Sequence, residues 1–113
     1  MKEDSLGFNV KRLCDRLFDS ATIDYVGFWE LVAAVQSNDI GLPRESCRDV
    51  VISLARCMMV RGLKPFSFDE NPKAPKLWQC DGVDDALDKI IIEWNKLEKQ
   101  PGLGDVCWFM YQR

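Results

Sequence analysis

The hydrophobic rhythm of this 113-residue chain changes at Gly62, and that change limits the folds open to it. Before Gly62, apolar residues recur three and four apart, the spacing of one helix face. Over residues 5–20, Leu6, Val10, Leu13, Cys14, Leu17 and Phe18 take that face. Lys11, Arg12, Asp15, Arg16 and Asp19 fill the opposite one, as an amphipathic helix requires. A second helix is expected over residues 25–35, with Phe28, Leu31, Val32 and Val35 inward and Trp29 beside them. Ser20, Thr22 and Asp24 offer its N-cap. Gly27 inside it costs about 1 kcal/mol relative to alanine. A loop at residues 37–41 leads to Pro43, which suits the first turn of a third helix. Cys47, Val50, Val51, Leu54 and Met58 form that helix's stripe, Ala55 lies beside it, and Gly62 is its stop signal.

After Gly62 the segments shorten. Residues 63–68 alternate loosely and contain Pro65, which predicts a short or edge strand. Residues 69–75 form a polar tip with two prolines, and residues 76–80 a second strand, so the pair reads as a hairpin. Asp81 is placed to cap a fourth helix, with Asp84 three residues on in a capping-box-like arrangement. Val83, Leu87, Ile90, Ile91, Trp94 and Leu97 supply its stripe, and Pro101, Gly102 and Gly104 end it. Residues 106–111 are apolar on both faces and predict a closing strand covered on both sides. The expected class is α+β: three helices, a β-hairpin, a fourth helix and a strand, in one domain spanning residues 1–113. Three helices followed by a hairpin is also the layout of a winged helix, with the last strand completing the sheet beside the hairpin.

Composition narrows the chemistry. The chain has no histidine, which removes the commonest general base and metal ligand together. Its five cysteines are odd in number, widely spaced and without a CxxC pair. No apolar run approaches the ~20 residues that span a bilayer, and the first ten residues lack the apolar core of a signal peptide. The expectation is a cytoplasmic chain with reduced thiols and no membrane association. Gly102-Leu103-Gly104 is a turn and no phosphate cradle, because it follows a helix and does not complete GxGxxG. No catalytic residues, metal or cofactor are expected, and the protein is expected not to be an enzyme.

A binding role remains, and its sign comes from charge. The net charge is −3, with eight basic and nine acidic residues over 1–62 and seven and nine over 63–113. That balance disfavours nucleic acid and suits a basic protein partner. The candidate contact residues are Asp69 and Glu70 at the hairpin tip, and Asp84, Asp85 and Asp88 at the start of the fourth helix. Trp78 joins them as the tryptophan nearest the tip, since tryptophan is enriched at binding hot spots. The plainer reading makes the acids a solvated helix start and all four tryptophans core. The alternative function is a winged-helix DNA-binding regulator using Arg44, Arg48 and Arg56 on the third helix. A third reading is an adaptor that pairs through an exposed strand edge.

Four stretches carry a further resemblance: residues 22–35 (TIDYVGFWELVAAV), 49–65 (DVVISLARCMMVRGLKP), 77–94 (LWQCDGVDDALDKIIIEW) and the closing CWFMY. In layout they resemble small immunity proteins of bacterial polymorphic toxin and contact-dependent growth inhibition systems, with Asn95 where many of those have a proline. The resemblance implies a cytosolic inhibitor that binds its cognate toxin's C-terminal domain, often a nuclease, one to one. It implies neither activity nor cofactor.

Overall fold

All three helical stripes before Gly62 are helices in the computed structural model, which describes residues 2–37, 44–68, 75–99, 101–102 and 105–111. In chain order the elements are α1 (Lys2–Ile23), β1 (Val26–Gly27), α2 (Phe28–Ser37), α3 (Arg44–Val60), β2 (Leu63–Phe68), β3 (Pro75–Leu77), α4 (Val83–Lys96) and β4 (Trp108–Tyr111). The expected α+β order holds, with one short strand added. Pro43 and residues 69–74 of the hairpin tip, including Asp69 and Glu70, lie outside the described residues, and Pro75 belongs to β3. Among those described, no helix is long and apolar enough to cross a membrane.

The extra strand corrects the start of the second helix. α1 runs through Ser20 and Thr22, whose hydroxyls donate back to the carbonyls of Arg16 (3.2 Å) and Asp19 (2.7 Å) and so cap nothing. Val26 and Gly27 are extended and pair with β4, Val26 opposite Phe109 and Gly27 opposite Trp108. α2 therefore begins at Phe28, whose N–H donates to the Cys107 carbonyl at 2.9 Å. Glu30 reaches back to accept from the Gly27 N–H at 2.7 Å, which is half of a capping box. Gly27 is required for a steric reason. A Cβ there would lie 1.6 Å from the Trp29 ring, which covers it.

The sheet is antiparallel throughout, in the order β1-β4-β2-β3. β2 is thus an inner strand despite Pro65. The reason lies in the register: Trp78 donates its N–H to the Pro65 carbonyl at 3.1 Å, so the missing Pro65 N–H faces only the frayed end of β3. β3 itself ends at Leu77, short of the expected Cys80. α4 starts at Val83 with Gly82 as N-cap and no side-chain cap, so neither Asp81 nor Asp84 plays the expected part. Asp85 instead accepts from the Asp81 N–H at 2.9 Å.

One core joins all four helices to one face of the sheet. α1 contributes Leu13, Cys14, Leu17 and Ala21; α3 contributes Val51, Leu54, Ala55, Met58 and Met59. α2, apolar almost all round, is the most enclosed, with Phe28, Leu31, Val32, Ala34 and Val35 all buried. Ala86, Leu87 and Ile90 bring in α4, and Val26, Leu63 and Phe109 represent the sheet. Each fully buried Leu, Ile or Phe contributes roughly 1.5–3 kcal/mol of transfer free energy. Val106 takes a φ of 66°, which costs a β-branched residue on the order of 1–3 kcal/mol and is held by the buried residues that follow it.

Candidate functional site

The two faces of the sheet differ in what covers them. Leu63, Pro65, Phe109 and Val26 share one face by register and meet the helices. Phe66, Phe68 and Trp108 share the other by register, and there Trp29 of α2 reaches over β1 onto Trp108. An array of rings occupies it. Phe66 packs edge-on to Phe68 (5.2 Å between centroids), Phe68 to Trp108 (5.4 Å), and Trp108 to Trp29 (4.8 Å). Tyr25 closes the array against Phe66 (4.9 Å) and Phe68 (5.7 Å). Edge-to-face pairs of this kind add about 0.5–1.5 kcal/mol each beyond area burial. Phe66 is wholly buried beneath its neighbours, yet Tyr25 and Phe68 remain 39% and 38% exposed. The closing strand is therefore not covered on both sides by layers of the fold. Its second side is roofed by rings that face outward.

None of the four tryptophans is fully buried. Trp78 and Trp94 lean against the main core, whereas Trp29 and Trp108 belong to the aromatic array. The array was not singled out from sequence. Its signal was the alternation of Phe66 and Phe68, but the partners Tyr25, Trp29 and Trp108 are brought there only by the β1–β4 pairing.

Four of the predicted contact residues, Trp78, Asp84, Asp85 and Asp88, are among those described, and their surroundings differ. Asp84 is ion-paired with Arg56 of α3 at 2.6 Å. Asp85 is held below the usual carboxylate range, first by the Asp81 N–H and then by Lys89 at 3.4 Å. Asp88 is exposed and has no partner among the described residues. Trp78 lies elsewhere, in a groove between β3 and α4, and its indole N–H donates to Ser67 Oγ at 2.8 Å. Lys89 connects the two places by donating to the Gln79 carbonyl.

The basic residues named for the DNA reading are engaged within the fold. The Arg48 guanidinium lies 4.6 Å over the Trp94 ring and donates to Asn95 Oδ1. Arg56 takes Asp84. Both clamp α4 against α3. The side chain of Arg44 lies outside those described.

The thiols follow burial. Cys14 and Cys107 are buried, and Cys57 and Cys80 partly so; all four are free. Burial, reinforced by Cys57, pushes the Cys14 thiol up to about 12, although Arg61 lies 3.9 Å away and pulls the other way. Desolvation wins over the one cation, so this is no activated nucleophile. Burial also raises Cys107. Because the folded state keeps Cys14 protonated, its contribution to stability is complete below the unfolded value of 9.0 and is lost as pH climbs from there towards 12. Denaturant midpoints are expected to hold up to pH 9.0 and fall above it, and Cys14 and Cys107 to resist iodoacetamide until the chain is unfolded. Ready alkylation of either in the folded protein would contradict their burial. Among the described residues, no three Cys, Asp or Glu side chains converge in a way that could hold a metal ion.

Compared with known proteins, the chain matches no family model, no curated protein and no solved structure, so what it does has to be read from its own surface.

Proposed function

We propose that the protein is an immunity-type inhibitor that binds and neutralises a toxin domain, a nuclease by the resemblance of its layout, through the aromatic face of the sheet. The observation that carries this reading is the ring array: five aromatic side chains, Tyr25 from the α1–β1 link and the others from α2, β2 and β4, of which Tyr25 and Phe68 stay open to solvent. A fold of this size gains little from holding such rings at the surface. An interface gains much, because rigid aromatic anchors lose little entropy on binding and dominate hot spots. The acids of α4 have a lesser part. Two of the three are committed to internal partners, so steering of a basic toxin falls mainly to Asp88 and to the net charge of −3.

The DNA-binding alternative draws less support, since Arg48 and Arg56 serve the α3–α4 contact. The test is co-expression with the C-terminal domain of the protein encoded immediately upstream. Rescue of growth and a one-to-one complex of nanomolar affinity are expected. Neither rescue nor binding would overturn the reading, and a salt-dependent affinity for duplex DNA would then favour the alternative.

A further inference from the structure

A second surface lies on the helix-facing side of the sheet, apart from the ring array. Between β3 and α4 the chain leaves an open groove of about 470 Å³, within the range of sites that bury a small ligand or a peptide segment. Trp78 and Ile92 give it apolar walls, and Ile92 stays 54% exposed although Ala86, Leu87 and Ile90 of the same helix are buried. Three lysines line it, Lys76, Lys89 and Lys96, against one acid, Glu93. The chain as a whole is acidic, so this is a local inversion of sign. Lys96 is paired with Glu93 at 2.9 Å and Lys89 with Asp85 at 3.4 Å, whereas Lys76 has no partner among the described residues.

The backbone adds a direction. β3 is the outermost strand of the sheet. Ser67 pairs with Lys76, and Trp78 donates to Pro65, so residues 76 and 78 turn their polar backbone groups towards β2. By the alternation of an antiparallel ladder, Leu77 turns its N–H and C=O outward, as a template for another strand. Pro75 and Lys76 on the same strand deter indiscriminate pairing. They do not deter a strand that brings negative charge to the lysines.

We propose that the β3–α4 groove docks an extended acidic peptide segment of a partner, which adds to β3 as a fifth strand. The Leu77 backbone supplies the hydrogen bonds; on the face of the added strand that looks towards α4, carboxylates meet Lys76 and Lys96, and an apolar side chain two residues from each meets Trp78 and Ile92. This goes beyond the toxin reading and does not depend on it, because the occupant is defined by charge and extension alone.

The test uses the full chain labelled with ¹⁵N, titrated with a short capped peptide in which glutamate and valine take turns at every second position, with serine between them, and with the counterpart that has lysine for each glutamate. Shifts are expected at the Leu77 and Gln79 amides and the Trp78 indole with the acidic peptide only, fading at high ionic strength. K76E/K96E is expected to weaken binding about tenfold or more, and the milder K76Q/K96Q to weaken it less. Unperturbed core resonances in both variants would show that the fold is kept. Absence of shifts, shifts elsewhere, or equal binding of the lysine peptide would overturn the proposal. So would an oligonucleotide that shifts the same amides when the acidic peptide does not, or a dimer of the peptide-free chain that K76E/K96E dissociates.

Discussion

Phe28→Ala is expected to lower the stability of the folded chain by ~3–5 kcal/mol. Phe28 is wholly buried at the first position of α2. Its ring stands edge-on to Trp94 of α4 at 5.1 Å, and its N–H is bonded to the Cys107 carbonyl just before β4. One residue thus joins α2, α4 and the sheet, by its ring and its backbone together. Truncation removes the transfer free energy of the ring and leaves a cavity that the backbone bond to Cys107 keeps from collapsing. Domains of this size hold only about 5–15 kcal/mol in total, so the loss corresponds to a fall in Tm of roughly 15 °C. Phe28→Leu, which keeps most of the volume, is expected to cost less than about 1.5 kcal/mol. Ile23→Ala serves as the control: Ile23 is 89% exposed, and its change is expected to stay within about 0.5 kcal/mol. Urea denaturation of the three variants checks the order. A cost below about 1 kcal/mol for Phe28→Ala would mean that the α2–α4 junction is not packed as described.

The helices were legible because their signal is local. The stripes of α1 and α3 can be read from spacing alone, and the buried residues follow them closely: Leu13, Cys14 and Leu17 in one, Val51, Leu54 and Met58 in the other. β1 was not legible, because two residues make no period. Val26 and Gly27 are a strand only because Phe109 and Trp108, about eighty positions away, pair with them, and that long-range pairing overrides the helical rhythm around them. The same holds for Pro65. As a local signal it points to an edge, yet β2 is flanked on both sides because the one position that would expose the missing N–H lies at the frayed end of β3.

The surface was harder to read than the core, for a related reason. Charge can be counted along a sequence, but its availability cannot. Asp84 and Asp85 read as a free acidic cluster until Arg56 and the Asp81 N–H are found beside them. Arg48 and Arg56 read as a free basic face until Trp94 and Asp84 are found under them. Trp78 reads as an acidic-patch neighbour, but the lysines of β3 and α4 surround it. Asp85 meets its partners locally, but for Asp84, Arg48, Arg56 and Trp78 the packing of elements distant in sequence decides what each one meets.

The largest expected effect on binding belongs to the double variant Tyr25→Ala/Phe68→Ala, which should weaken the proposed toxin complex about 100-fold or more. Both side chains are the exposed members of the ring array, at 39% and 38%. Beneath them Phe66 and Trp108 remain to hold the sheet, and the four ring pairs removed set the loss of fold stability at no more than about 2–6 kcal/mol, at roughly 0.5–1.5 kcal/mol apiece. Aromatic hot spots commonly contribute 2 kcal/mol or more apiece. The two rings touch each other at 5.7 Å, so their losses overlap and should not simply add. Desolvated anchors act on dissociation, and most of the change should appear as a faster off-rate. Asp88→Lys makes the opposite case: an exposed charge without a partner among the described residues should slow association, in a way that high salt abolishes, and leave dissociation almost unchanged. Surface binding kinetics at two ionic strengths separate the two effects. Wild-type affinity in the double variant, with a strong effect of Asp88→Lys on dissociation, would move the interface from the sheet to α4, because only a desolvated carboxylate changes the rate at which a complex comes apart.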